Sequence, residues 1–116
     1  MSFYCSLKKG RGISIKDSPG SELHILVEEI RYPNNFTLSL IYDENSSVSI
    51  PLVSGQRPFY ITPNICIIFS RIRIKYNGRD SNGIIKYKPN VELELDISRR
   101  NSVRPTSRAR LEQLSN

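Results

Sequence analysis

The chain has 116 residues, a formal net charge of +6 and two cysteines, which is the length of one domain and should bury roughly two-thirds of the surface exposed by the unfolded form. With 38% hydrophobic residues, four Phe and no Trp, the core must be aliphatic. No apolar run approaches ~20 residues and no charged leader precedes an apolar stretch, so membrane insertion and secretion are not expected and the cytoplasm is the default compartment.

Phe3-Tyr4-Cys5-Ser6-Leu7 is a β-prone run. It ends in Lys8-Lys9-Gly10-Arg11-Gly12, where the glycines suit a basic hairpin turn into Ile13-Ser14-Ile15-Lys16. Asp17-Ser18-Pro19-Gly20-Ser21 breaks the chain. From Glu22 to Arg31 two periods compete. Leu23, Leu26, Val27 and Ile30 fall at helical spacing, whereas Leu23, Ile25 and Val27 alternate. A strand is preferred, because Tyr32-Pro33-Asn34-Asn35 closes the segment like a turn and its surroundings are β. Phe36, Leu38 and Leu40 mark the next strand. Val48-Ser49-Ile50-Pro51-Leu52-Val53 follows, with Pro51 assigning it to an edge or a break. After Pro58-Phe59-Tyr60-Ile61, the stretch to Ile97 reads as a meander of three strands, with turns at Tyr76-Asn77-Gly78 and Ser81-Asn82-Gly83. The period is lost beyond Ile97. Residues 98–106 read as a linker, and residues 107–114 suit a short helix with Leu111 and Leu114 on one side.

The expected fold is therefore all-β, with about ten short, mostly antiparallel strands in a compact barrel or sandwich. The domain spans 1–97, and a basic tail occupies 98–116. Residues 3–52 and 51–97 repeat the same order of short strand, turn, short strand, long strand, turn, strand, loop and strand, which suggests two similar halves.

Charge is uneven along the chain. Residues 1–58 carry six basic and six acidic side chains, residues 59–96 six and four, and residues 97–116 five Arg against Glu112. Such a tail suits contact with a polyanion or simply keeps the protein soluble. Arg71, Arg73 and Lys75 project from one face of a strand, Lys86 and Lys88 extend the stripe, and Tyr76 and Tyr87 nearby could stack on unpaired bases. Glu92, Glu94 and Asp96 can balance that stripe across the sheet. Lys8, Lys9, Arg11, Arg99 and Arg100 lie in segments poor in acids.

Catalysis is not expected. His24, the sole histidine, is flanked by Leu23 and Ile25. The carboxylates Glu28-Glu29 and Glu92, Glu94, Asp96 read as solvated strand faces, and Gly10 and Gly12 lack the GK[ST] and helix of a phosphate loop. Cys5 and Cys66 have neither CxxC nor Cys/His spacing, so neither a disulfide, a metal nor a cofactor is expected.

Leu7-Lys8-Lys9-Gly10, Ile13 to Asp17, Leu23 to Ile30, and Asn35 with Leu38 and Leu40 resemble the carbon storage regulator (CsrA/RsmA) family of translational regulators. Ile61 to Asn64, Ile65 to Ile72, Asn82 to Tyr87, and Pro89 with Val91 and Leu93 fit the same scheme as a second copy. The chain departs from the family at Tyr32-Pro33-Asn34, which lacks its glycines, and at Val53-Ser54, where a basic pair belongs. Neither final strand holds the family's arginine. The resemblance implies an interlocked pair of halves, with the first strand of one beside the last strand of the other and RNA bound there. One site would join Lys8, Lys9 and Arg11 to the end of strand 91–97, where Arg99 and Arg100 replace the missing arginine. The other, joining 48–52 to 53–57 with only Arg57, would be lost. The implied function is non-enzymatic binding of single-stranded or hairpin RNA in post-transcriptional regulation. The alternative is an assembly subunit whose β domain and Arg-rich tail dock on a protein through Leu111 and Leu114.

Overall fold

Alternation of aliphatic and polar residues builds strands with one inward face, and such strands are stable only when their apolar faces are buried against one another. The computed structural model describes residues 2–17, 21–43, 46–55, 58–97 and 102–114. In chain order these hold β1 (Ser2–Leu7), β2 (Arg11–Asp17), β3 (Ser21–Arg31), β4 (Asn35–Asp43), β5 (Ser46–Val53), β6 (Phe59–Thr62), β7 (Ile65–Arg79), β8 (Ile85–Ile97), β9 (Ser102–Ser107) and the helix α1 (Arg108–Leu114). Sheet one has the order β1-β8-β7-β6 and sheet two the order β5-β4-β3-β2-β9.

The sheets do not close into a barrel. They form a sandwich-like fold whose inner faces share one aliphatic cluster, with Ile13, Ile15, Ile25, Val27, Leu38 and Leu40 from sheet two against Ile65, Ile67, Ile72, Val91, Leu93 and Leu95 from sheet one. Each such side chain contributes about 1.5–3 kcal/mol when fully buried. The segment Ser21–Arg31 is a strand. Leu23, Ile25 and Val27 join the core, while Leu26 is buried on the opposite face. β5 is an edge strand, so Pro51 is tolerated there. Among the described residues, no helix is long and apolar enough to cross a membrane.

Three expectations are corrected. The basic turn at residues 8–12 does not close a hairpin. β1 pairs with β8, β2 pairs with β3 and β9, and the loop between β1 and β2 crosses from one sheet to the other. Gly10 makes that crossing with φ of 83°, and its N–H donates to the Val27 carbonyl at 2.8 Å. A hairpin turn and a crossover of equal length read alike in sequence.

The meander expected over 61–97 is mainly one long hairpin of β7 and β8. Gly78 gives an irregularity within β7, and the reversal comes at Ser81-Asn82-Gly83, where the Asp80 carboxylate accepts from Asn82 N–H at 2.8 Å and Ile84 N–H at 2.9 Å. Pro89 does not divide β8. Past Val91 towards the hairpin tip, β8 has lost its β1 neighbour, so a residue without an N–H is accommodated beside an open edge.

Residues 102–106, read as linker, form β9 together with Ser107, the residue expected to open the helix. Val103 and Pro105 sit opposite Ile15 and Ile13, and Thr106 is buried. The tail thus completes sheet two, as β1 completes sheet one. Each sheet takes an edge strand from the far end of the chain.

Candidate nucleic-acid interface

β7 alternates Ile72 inward with Arg71, Arg73 and Lys75 outward, so these cations stand in a row on the outer face of sheet one. Opposite them on β8 lie Glu92, Asn90 and Lys88, respectively. Glu92 is the carboxylate around which the row is ordered. Arg71 Nε approaches Glu92 Oε1 to 2.5 Å, Lys75 Nζ lies 3.0 Å from Oε2, and Arg73 Nη1 lies 3.9 Å from Oε1. Burial alone would raise the Glu92 pKa, but hydrogen bonds from Arg71 and Lys75 and their charges outweigh it and hold the carboxyl below its ordinary range. Three cations thus share one carboxylate, and Lys88 stands directly across from Lys75. Lys86, two residues from Lys88 on the same strand, continues that face towards the hairpin tip.

The row runs on into the β1–β2 loop. Lys75 Nζ donates to Ser6 Oγ at 2.9 Å, Asn90 Nδ2 donates to the same oxygen at 3.1 Å, and the Lys8 ammonium donates to Asn77 Oδ1. Asn90 is itself buried, with Oδ1 unpartnered among the described residues. On the far side of the loop, β9 brings up the start of α1. Arg11 pairs with Ser107, the Arg108 N–H donates to the Gly10 carbonyl at 2.8 Å, and the Ser107 hydroxyl caps the helix by accepting from Arg110 N–H at 3.2 Å. Lys8, Lys9 and Arg11 therefore share one end of the sandwich with exposed Arg108 and Arg110. Among the described residues, Lys9, Arg11, Arg108 and Arg110 make no ion pair.

This differs from the site drawn from sequence. β1 and residues 91–97 are neighbours, but antiparallel register sets Leu7 opposite Val91 and Ser2 opposite Asp96. Lys8 and Lys9 thus lie at the start of 91–97, away from the end that leads to Arg99 and Arg100. Those two arginines lie outside the described residues, as does Arg57. The second site fails on geometry, since 48–53 is part of one continuous strand paired to β4. Leu111 is half-buried on its own chain.

The aromatic partners also change. Tyr76 and Tyr87 are a cross-strand pair one residue out of phase with Lys75 and Lys88, so they occupy the other face of the ribbon. The rings that accompany the cations are Tyr4, 71% exposed, and Phe69, 46% exposed, both opposite Glu94. Their common face was not legible before the β1–β8 pairing was known. The Tyr4 hydroxyl donates to Glu94, and this bond with the carboxylate's charge raises the Tyr4 pKa.

The remaining candidates for chemistry are held otherwise. His24 Nδ1 is 2.6 Å from Ser14 Oγ on the outer face of sheet two, in a half-buried setting. Cys5 is inward-facing, and burial pushes its thiol up to about 11 despite a hydrogen bond with the Leu93 backbone, so it is a thiol near neutrality. Cys5 and Cys66 are both free. Compared with protein-family models, curated proteins and solved structures, the chain matches none of them.

Proposed function

We propose that this protein binds single-stranded RNA on the outer face of sheet one and acts in the cytoplasm as a non-enzymatic post-transcriptional regulator, in the manner of the CsrA-like proteins its sequence resembles. One observation carries the reading: Arg71, Arg73, Lys75 and Lys8 form a continuous basic row beside two exposed rings, with Arg108 and Arg110 at its end. Cations spaced along a strand meet successive phosphates, and exposed rings on the same face offer bases a stacking surface. The pairing of β1 with β8, first strand beside last, also suits the interlocked plan implied by the resemblance.

About five phosphate contacts give a log-log salt slope of about −3.5 on a single strand. The test is fluorescence anisotropy with labelled single-stranded and GGA-hairpin RNAs across a salt series. The Arg73→Ala/Lys75→Ala double variant should bind about tenfold more weakly and flatten the slope by about 1.4. Lys16→Ala/Arg104→Ala on sheet two should match the wild type. Equal loss in both variants overturns the reading.

One observation favours a second reading, docking on a protein. Ile74, Tyr76, Ile85 and Tyr87 are exposed on the ribbon beyond the end of β1 and continue the apolar side of β7 and β8. That reading is supported if the wild type has no RNA affinity at physiological salt.

A further inference from the structure

A strand inside a sheet spends its backbone groups on both sides, whereas an edge strand leaves one side bare. β6 covers β7 only from Ile65 to Ile67. Just beyond, the Gly55 N–H donates to the Ser70 carbonyl at 3.2 Å, so that carbonyl points away from β8. In an antiparallel pair the N–H and carbonyl of one residue lie on the same side, and the side alternates along the strand. No register shift intervenes between Ser70 and Tyr76, so the N–H and carbonyl groups of Ile72, Ile74 and Tyr76 also point outward. Pro89 agrees with this phase, since it stands opposite Ile74 and has no N–H to give to β7. Among the described residues, no strand or loop takes up these outward groups.

The side chains along this bare edge decide what suits it. Arg71, Arg73 and Lys75 stand on one face, three positive charges against the single carboxylate of Glu92. Ile74 and Tyr76 are exposed on the other. On its covered side β7 already meets alternating acidic and aliphatic residues, Val91-Glu92-Leu93-Glu94-Leu95, with Glu92 opposite Arg71. A second copy of this chain does not fit the bare side. Two β7 edges paired antiparallel about Ile74 would set the cations of one copy against those of the other, and like charges directly opposite destabilise a pair. The free edge of β8 is closed to such pairing by Pro89, Lys86 and Lys88.

We propose that the edge of β7 from Ile72 to Tyr76 binds an extended acidic segment of a partner protein as an added antiparallel strand. Its carboxylates lie opposite Arg71, Arg73 and Lys75, and the apolar residues between them lie beside Ile74 and Tyr76. The site is a backbone edge, which the RNA-binding reading does not use. Antiparallel pairing also fixes the phase of the bound segment. Its apolar residues exchange hydrogen bonds with Ile72, Ile74 and Tyr76, and its acidic residues turn their N–H groups to solvent.

The test is fluorescence anisotropy with the full chain and a labelled, end-capped nonapeptide in which Val alternates with Glu. Binding should weaken as salt is added. N-methylation at the Val residues should cost about tenfold or more, and N-methylation at the Glu residues no more than about threefold. Gln in place of Glu should cost at least about fivefold. Ile74→Pro removes an outward donor that β8 does not use, so it should keep the wild-type thermal transition and bind the peptide about tenfold more weakly. If that variant fails to fold, the two N-methylated peptides decide without it. Equal affinities of those two peptides overturn strand addition, and a Gln peptide bound as tightly as the Glu peptide overturns the charge recognition. No binding of the Val/Glu peptide at about 1 mM overturns the site, and RNA bound by the same preparation then assigns the cations to RNA alone.

Discussion

The two sheets share a core and an antiparallel plan, yet their outer faces are finished differently. One row across sheet two runs Ser49, Ser39, Leu26, Gly12, Thr106. Ser39, Leu26 and Thr106 are buried although they lie on the outer face. At Gly12 an added Cβ would come within 2.0 Å of the Ile25 carbonyl oxygen and 2.8 Å of Leu26 Cδ2, so the missing side chain is what lets Leu26 lie close. The corresponding rows of sheet one are Ser6, Glu92, Arg71 and Tyr4, Glu94, Phe69, long cations and rings around a groove. One face is close-packed and intolerant. The other is open, with its long side chains around a groove of about 370 Å³.

That contrast is broken most severely at the edge of sheet two. A chain ended after residue 101 loses β9, with Val103 against the core and buried Thr106. It should lose its cooperative thermal transition in circular dichroism, an outcome a dispensable basic tail would not give. Gly12→Ala is next. The Cβ meets backbone as well as a side chain, so the strain cannot be relieved by a rotamer change, and a loss of about 3 kcal/mol is expected, read as a Tm lower by about 10 °C.

Sheet one should respond far less in stability. Glu92→Gln removes a carboxylate whose pKa is lowered in the folded state. A lowered folded pKa means stability that is present above the unfolded value near 4.3 and lost as pH falls through the folded value. Wild type should therefore exceed Glu92→Gln in urea midpoint at pH 7, by about 1 kcal/mol or less because the cations are 37–55% exposed. The difference should close on acidification below about pH 4. An advantage for wild type that grows on acidification would contradict the assignment.

The site was only partly legible. Arg71, Arg73 and Lys75 could be placed on one face because side-chain parity is local, and the same parity, followed one residue further, sets Tyr76 and Tyr87 on the other. Arg108 and Arg110 could not be placed beside Lys8, because nothing near them in sequence announces that β9 pairs with β2. The alternation of Val103 and Pro105 with Arg104 was the available signal, and it was masked by a composition typical of linkers. Tyr4 and Phe69, 65 positions apart, meet only because both strands flank β8.

Sequence by itself determined the β class, most of the strands and which of their residues face the shared core, since a period of two turns alternate aliphatic residues to the same side of a strand. Tertiary structure decided the exchange of β1 and β9, the end of the sandwich at which the basic residues gather, and the groove between Tyr4 and Phe69. These depend on strand order and register, which are set by burying all the apolar faces in one core at once and are not encoded in any single stretch.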